Sequence, residues 1–204
     1  TAGGITEENI RRVRSIYYGL VTYLDDQIGQ LLAALEDTNQ LDNTIIIYMS
    51  DHGEMLGEHG IWAKSNFYEQ SASVPLIVSG PGLPTQQRIR KNVSNVDVTD
   101  TLLDIMDVQP IRPIDGDSLL PLINGNPEDW KDEALSEYYA DGSTRPWAML
   151  KKGHYKLVYS HNDPMELYNL EDDPGEFNNL AQDEAYTTIR DELASRLFER
   201  IKPA

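Results

Sequence analysis

An α/β layered domain followed by a small antiparallel sheet with a closing helix is the fold that three features of the sequence predict. A long amphipathic stripe runs from Glu7 to Glu36, and a continuous β-branched run follows at Thr44 to Met49. Beyond Asp117 the chain changes to short strands punctuated by turn residues. In the helix, Ile10, Val13, Tyr17, Leu20, Leu24, Ile28, Leu31 and Leu35 recur at steps of three and four, and Thr6 is the expected N-cap. Asn39, Asp42 and Asn43 end the pattern. Thr44-Ile45-Ile46-Ile47-Tyr48-Met49 then runs without polar alternation, the pattern of a strand covered on both faces in a parallel sheet. A second strand is predicted at Leu76-Ile77-Val78, entered through Pro75 and left through Gly80-Pro81-Gly82, with a short helix near Phe67 between the two. Asp97 is the expected cap of a helix carrying Val98, Leu102, Ile105 and Met106, and Pro113 to Asp117 reads as a connector.

After that connector, Leu135 to Tyr139, Trp147 to Leu150, Tyr155 to Tyr159 and Leu167 to Leu170 predict an antiparallel meander. Asp141-Gly142, Lys152-Gly153 and Asp163-Pro164 supply its turns. A last helix from about Asp183 to Lys202 carries Ile189, Leu193, Leu197 and Ile201 on the face expected to pack on the meander. The expected organisation is an α/β part over residues 1–117 and an antiparallel-sheet subdomain over 118–204.

Composition narrows the function. With 34 acidic against 17 basic residues the net charge is -17, which argues against a nucleic-acid partner, because a phosphate backbone demands a basic face. No apolar run approaches the ~18–20 residues of a membrane span, and no basic-then-apolar leader pattern follows Thr1. The absence of cysteine excludes disulfides, thiolate metal sites and a cysteine-derived nucleophile within these residues. Asn92-Val93-Ser94 is a formal glycosylation sequon.

Chemistry concentrates in Tyr48 to Ser65, YMSDHGEMLGEHGIWAKS. In open α/β sheets, functional groups collect just beyond the carboxyl ends of strands, where Asp51 and His52 stand. An aspartate carboxylate is a hard oxygen ligand for Ca²⁺, Mg²⁺ or Mn²⁺, and a neutral imidazole extends the choice toward Mn²⁺ or Zn²⁺. Two ligands do not complete a shell, and helix capping by Asp51 and His52 is the alternative. Lys64, thirteen residues after Asp51, is a point charge suited to an anionic sulfuryl or phosphoryl oxygen, against the alternative of a solvated surface lysine. His59 is a candidate proton donor, or a loop histidine bonded to a carbonyl.

Ser50-Asp51-His52-Gly53-Glu54, Leu56-Gly57-Glu58-His59-Gly60, Trp62, Lys64, Tyr68-Glu69 and Val74-Pro75-Leu76-Ile77 together resemble an active-site segment of the sulfatase family, in the alkaline-phosphatase superfamily. The likeness extends to Tyr23-Leu24-Asp25-Asp26-Gln27-Ile28-Gly29, Val96-Asp97-Val98, Asp115-Gly116-Asp117-Ser118, Leu167-Tyr168-Asn169-Leu170 and Asp173-Pro174-Gly175-Glu176. It implies the C-terminal part of an alkaline-phosphatase-like α/β/α domain. It also implies that Asp51 and His52 ligate a divalent cation, calcium ahead of Mn²⁺ or Mg²⁺, and that Lys64, with His59, acts on a sulfate ester. Asp25-Asp26 lie in the long helix and are not the family's paired metal-binding aspartates. The Asp-His pair is closest in pattern to choline-sulfatases and phosphonate monoester hydrolases. The resemblance further implies a formylglycine nucleophile from a Cys/Ser-x-Pro/Ala-x-Arg motif, which is expected in an N-terminal half outside this sequence. The chain alone is then expected to be inactive. Two alternatives stand beside sulfate ester hydrolysis: phosphonate or phosphate ester hydrolysis on the same frame, and a non-catalytic binding module of sulfatase descent.

Overall fold

A computed structural model of the chain describes residues 6–126, 128, 130–139 and 145–201. They group into two compact units, one within residues 1–64 and 73–85, the other within 65–72 and 86–204.

The first unit opens with helix α1 (Glu7–Asp37). The Thr6 hydroxyl accepts the Asn9 N–H at 3.2 Å, as an N-cap should, and Glu7 and Glu8 occupy the first turn, where the helix dipole favours negative charge. At the other end the Thr38 hydroxyl donates to the Ala34 carbonyl at 2.7 Å, and Asn39 turns the chain away at φ 55°, a conformation asparagine tolerates. The stripe is present, yet no α1 residue is buried: Ile10, Arg14, Ile28 and Leu35 are half-covered, while Tyr18, Leu20, Tyr23 and Leu31 are 61–67% exposed.

Strand β1 (Ile46–Met49) pairs with β2 (Leu76–Ser79), from Ile46 opposite Ser79 to Met49 opposite Leu76. The pairing is antiparallel, which corrects the expected parallel arrangement. An unbroken apolar run reports that both faces are to be covered and carries no information on strand direction. The connection between the two strands contains one short α-helix, α2 (Glu69–Ala72).

In the second unit, α3 (Asn95–Ile105) starts from Ser94 rather than from Asp97. Asp97 instead sits at the third helical position and returns its carboxylate to the Ser94 N–H at 2.7 Å, completing a capping box. Its other oxygen accepts the Asp117 N–H at 3.0 Å. Gly116 makes this approach possible, because a Cβ there would collide with the Val96 carbonyl. A short helix that the sequence did not predict, α4 (Leu120–Ile123), follows and buries Leu122 and Ile123. The Asn92 side-chain amide donates to the Gly153 carbonyl at 2.8 Å and to Asp132 Oδ1 at 3.1 Å, so the sequon nitrogen is engaged in the fold.

Strands β3 (Glu133–Tyr138), β4 (Trp147–Lys152), β5 (Tyr155–Ser160) and β6 (Glu166–Asn169) form the expected meander in sequential antiparallel order. The turn expected at Asp141-Gly142 lies outside the described residues. Strand alternation gives the sheet two faces. One face sets Ala148, Leu150, Leu157 and Leu167 against Leu193 and Leu197 of α5 (Thr187–Arg200). Each fully buried leucine there stabilises by roughly 1.5–3 kcal/mol. The other face carries Trp147, Met149, Val158 and Tyr168, with Phe67 and Ala72 packed on them. Among the described residues no helix is long and apolar enough to cross a membrane.

This second face also holds a charge problem. Lys151 of β4 and Lys156 of β5 are direct cross-strand partners, and like charges so placed destabilise a sheet. Glu69 resolves it by bridging, with one carboxylate oxygen 2.8 Å from Lys156 Nζ and the other 2.8 Å from Lys151 Nζ. Lys156 is fully buried, and its remaining protons go to Glu176 at 2.6 Å and to the Phe67 carbonyl at 2.8 Å. Glu176 in turn accepts the Glu69 N–H at 2.6 Å.

Two outcomes follow for stability. Lys156→Met strands the buried Glu176 carboxylate and should cost about 3–5 kcal/mol in urea titration, with much of it recovered in Lys156→Met/Glu176→Met. A single substitution within about 1 kcal/mol of wild type would show the network to be dispensable. For Glu69, burial pushes the carboxyl upward, but the charges of Lys156 and Lys151 outweigh it and hold it below its ordinary 4.5. A depressed folded value gives stability that is present above 4.5 and lost as pH falls through the folded value. The melting temperature should therefore fall with acidification below that point, and Glu69→Gln should flatten the fall; an unchanged acid profile in that variant would count against the assignment.

Candidate functional site

The site lies within the first unit, at the end of β1. Asp51 is 86% exposed at its side chain, and Oδ1 accepts the His52 N–H at 2.9 Å. That backbone donor holds the Asp51 carboxyl below the usual aspartate range, favouring its ionised form. His52 Nδ1 lies 2.7 Å from the Gly53 carbonyl. Since a carbonyl only accepts, Nδ1 carries the proton, and in the neutral ring Nε2 keeps its lone pair. Nε2 is 3.7 Å from Asp51 Oδ2. Two donors each about 2.1–2.4 Å from one ion stand roughly 3.0–3.9 Å apart at ligand angles of about 90–110°, so this pair fits two positions of a single divalent shell. Among the described residues no group of three or more potential side-chain ligands gathers, so Asp51 and His52 could supply only part of a shell.

Lys64 returns toward this end through a tight reversal. The Met55 N–H donates to the Ala63 carbonyl and the Gly57 N–H to the Ile61 carbonyl, each at 2.9 Å, and a 3₁₀ turn at Glu58–Gly60 closes the tip. Glu54, two residues beyond His52, accepts the Ala63 N–H at 2.7 Å and the Leu56 N–H at 3.4 Å. Lys64 follows Ala63 directly, is exposed, and has no ion pair among the described residues. His59 occupies the tip, half-buried and in the left-handed region at φ 51°. The structure thus sets Asp51 and His52 side by side, brings Ala63, the residue before Lys64, back to Met55 and Glu54, and keeps His59 at the tip of the reversal.

Four non-glycine residues in this stretch have positive φ: Leu56, His59, Ala63 and Ser65. Such conformations cost on the order of 1–3 kcal/mol each and persist where surrounding contacts enforce them. The contacts come from α1. Arg14 donates from Nε to the Leu56 carbonyl at 2.9 Å and from its terminal nitrogen to Glu58 at 2.5 Å. Ile10 packs so closely on Gly57 that a Cβ there would stand 2.9 Å from Ile10 Cγ1, and φ 87° independently favours glycine. Neither Arg14 nor Glu54 had been assigned a role from the sequence. The available signal for Arg14 was a charge four residues after Ile10, on the apolar stripe of α1.

The sulfatase family profile matches residues 2–108, and the profile described as N-sulphoglucosamine sulphohydrolase, C-terminal, matches residues 57–203. The chain is 44% identical over 181 residues to the choline-sulfatase of Rhizobium meliloti (strain 1021), covering 87% of this chain and 35% of that protein. The phosphonate monoester hydrolase of Agrobacterium radiobacter superposes with a TM-score of 0.89 at 31% identity, over 98% of this chain and 43% of that one. A protein solved with its substrate D-glucosamine-2-N,6-O-disulfate superposes with a TM-score of 0.78 at 34% identity, over 88% of this chain and 38% of that one. The chain therefore spans well under half the length of these proteins. With profiles covering both its halves and this identity to a choline-sulfatase, the chain belongs to the sulfatase family of the alkaline phosphatase superfamily, a family of sulfuric ester hydrolases.

Proposed function

We propose that the chain is the C-terminal part of a sulfatase that hydrolyses sulfate monoesters. The observation that carries this reading is the pairing of Asp51 Oδ2 with Nε2 of His52 at 3.7 Å, on a loop whose reversal returns Ala63, the residue before Lys64, to Met55. Asp51 and His52 hold a divalent cation, Ca²⁺ in first place with Mn²⁺ or Mg²⁺ as alternatives. When bound, that ion supplies positive charge for the ester oxygens. The Lys64 ammonium contacts the ester and neutralises charge on the departing oxygen. His59 is the candidate proton donor. The remaining ligands and a formylglycine nucleophile come from an N-terminal half outside this chain. That partner segment also supplies cover for the exposed apolar residues of α1, since an apolar surface of this extent marks an interaction face. A functional division near Asp117 lies between the end of the sulfatase profile at residue 108 and the start of the meander at Glu133, whereas the compact units divide earlier, between residues 85 and 86.

A second reading, phosphonate or phosphate ester hydrolysis on the same frame, is favoured by the TM-score of 0.89 to a phosphonate monoester hydrolase. A panel of aryl sulfates, phosphonates and phosphates given to the full-length protein separates the two. The highest kcat/KM on a sulfate ester supports the first reading, and a preference for phosphonate overturns it. Turnover of none of them leaves the non-catalytic module.

Three variants of the full-length protein test the assigned roles. Asp51→Ala should lose metal and activity together, as read by elemental analysis and ester turnover. His52→Ala should weaken metal affinity with partial rescue at high metal concentration, because water replaces one neutral ligand. Lys64→Ala should retain its metal while turnover falls by on the order of 10²–10³. Near-normal turnover in Lys64→Ala, or full metal occupancy in Asp51→Ala, would return those residues to solvated-surface and capping roles. The 204-residue chain by itself should bind divalent metal weakly and leave an aryl sulfate unhydrolysed. Measurable turnover would place the nucleophile within it.

A further inference from the structure

We propose that Arg14 is a positioning residue, holding the Met55–Ala63 reversal in the shape that presents Lys64. The proposal rests on the reading of Lys64 given above. Arg14 is on α1 and meets the loop 42 and 44 residues later in the chain, at the Leu56 carbonyl (2.9 Å) and at Glu58 (2.5 Å). These two acceptors lie at the point where the loop departs most from ordinary backbone geometry. Leu56 is left-handed at φ 48°, and the next residue, Gly57 at φ 87°, is backed by Ile10 one helical turn before Arg14. A leucine held in that region turns its carbonyl out of the local ladder, and the guanidinium receives it there. The second nitrogen of the same planar group fixes Glu58, the first residue of the tip. From that point Gly57 pairs with Ile61 and Met55 with Ala63, so the backbone of Lys64 inherits its placement from the Arg14 fork.

The fork separates a positioning role from a merely charged one. A lysine at this position would keep the attraction to Glu58 but would not reach both acceptors in one plane. Glu54 holds the base of the reversal independently, through the Ala63 N–H. Removal of Arg14 should therefore loosen the loop without unfolding it, and Asp51 and His52, which bond among themselves and to Gly53, should keep their arrangement.

The test uses Arg14→Gln, Arg14→Lys and Glu58→Gln in the full-length protein, read by amide hydrogen exchange, metal affinity and steady-state kinetics. In Arg14→Gln, protection should be lost at the Met55 and Gly57 amides while the amides of β1 stay protected. Metal affinity should hold, and kcat should fall about 10–100-fold with little change in KM, the size expected when a reacting group is misplaced by about 1 Å. Arg14→Lys should lie between wild type and Arg14→Gln, and Glu58→Gln should show a smaller loss at the same amides. Unchanged protection at Met55 and Gly57 would overturn the proposal. Equal loss across β1 would do the same, since it would make Arg14 a general stabiliser, as would an unaltered kcat in a loosened loop. A wild-type protein that hydrolyses no ester would sink the hydrolase reading alone, and the exchange pattern would then still decide whether Arg14 holds the loop.

Discussion

The Met55 N–H on the Ala63 carbonyl and the Gly57 N–H on the Ile61 carbonyl return the chain toward the residues it has just left, and the candidate site depends on those bonds. Twelve residues separate His52 from Lys64. An extended chain of that length would carry the lysine about 40 Å away. The reversal is tight enough to need residues in left-handed conformations, and glycine serves only part of that need, at Gly57 and Gly60. At Leu56, His59, Ala63 and Ser65 the fold holds ordinary side chains in unfavourable backbone geometry. Such positions persist only where surrounding contacts over-determine them, as those of Arg14, Ile10 and Glu54 do here.

The second compact unit has its own anchor, of a different kind. Its sheet carries two lysines opposite each other, an arrangement that destabilises the pairing of β4 and β5 until carboxylates are present. Glu69 and Glu176 supply them, and neither belongs to the sheet: one lies in α2, the other in the turn after β6. The charged cluster thus selects one docking of residues 67–69 on that face, since any other would leave a buried ammonium without its acceptors. The apolar contacts of Phe67 with Trp147 and neighbouring residues are far less exacting. Hydrophobic cover keeps water away, and the ion pairs fix the register in which the cover sits.

Where a single periodicity decides the outcome, the sequence was sufficient. The α1 stripe, the Thr6 cap, the four meander strands and the leucines of α5 all appear where spacing and turn residues put them. Strand direction in the first sheet was not legible, because Thr44 to Met49 encodes cover and not polarity. Asp97 is a good capping type, but Ser94, of equal rank, precedes it by three, and a capping box uses both. Lys156 gave no sign of burial, because an alternating strand places its lysines on the wet face by default, and Glu69 and Glu176, which make burial tolerable, lie far from it in the sequence. At the site, Asp51, His52 and Lys64 were legible by residue type and place. The groups that arrange them were less so: the Gly53 carbonyl is common to every residue, and Arg14 is 37 residues before Asp51.

An acidic chain is at first sight a poor receiver for an anionic ester. At -17 its distant field opposes such a ligand, yet charges more than about 8 Å apart are largely screened at physiological ionic strength, so the loop's own groups decide. Of the carboxylates there, Glu58 is neutralised by Arg14, and Glu54 is turned inward onto the amides of Ala63 and Leu56. Asp51 remains, outward and ionised, beside the lone pair of His52. A divalent cation on that pair would reverse the local sign, and Lys64 would add to it. The same contacts that shape the reversal therefore also engage two of its three carboxylates, Glu58 with Arg14 and Glu54 with backbone amides, and leave Asp51 as the outward one.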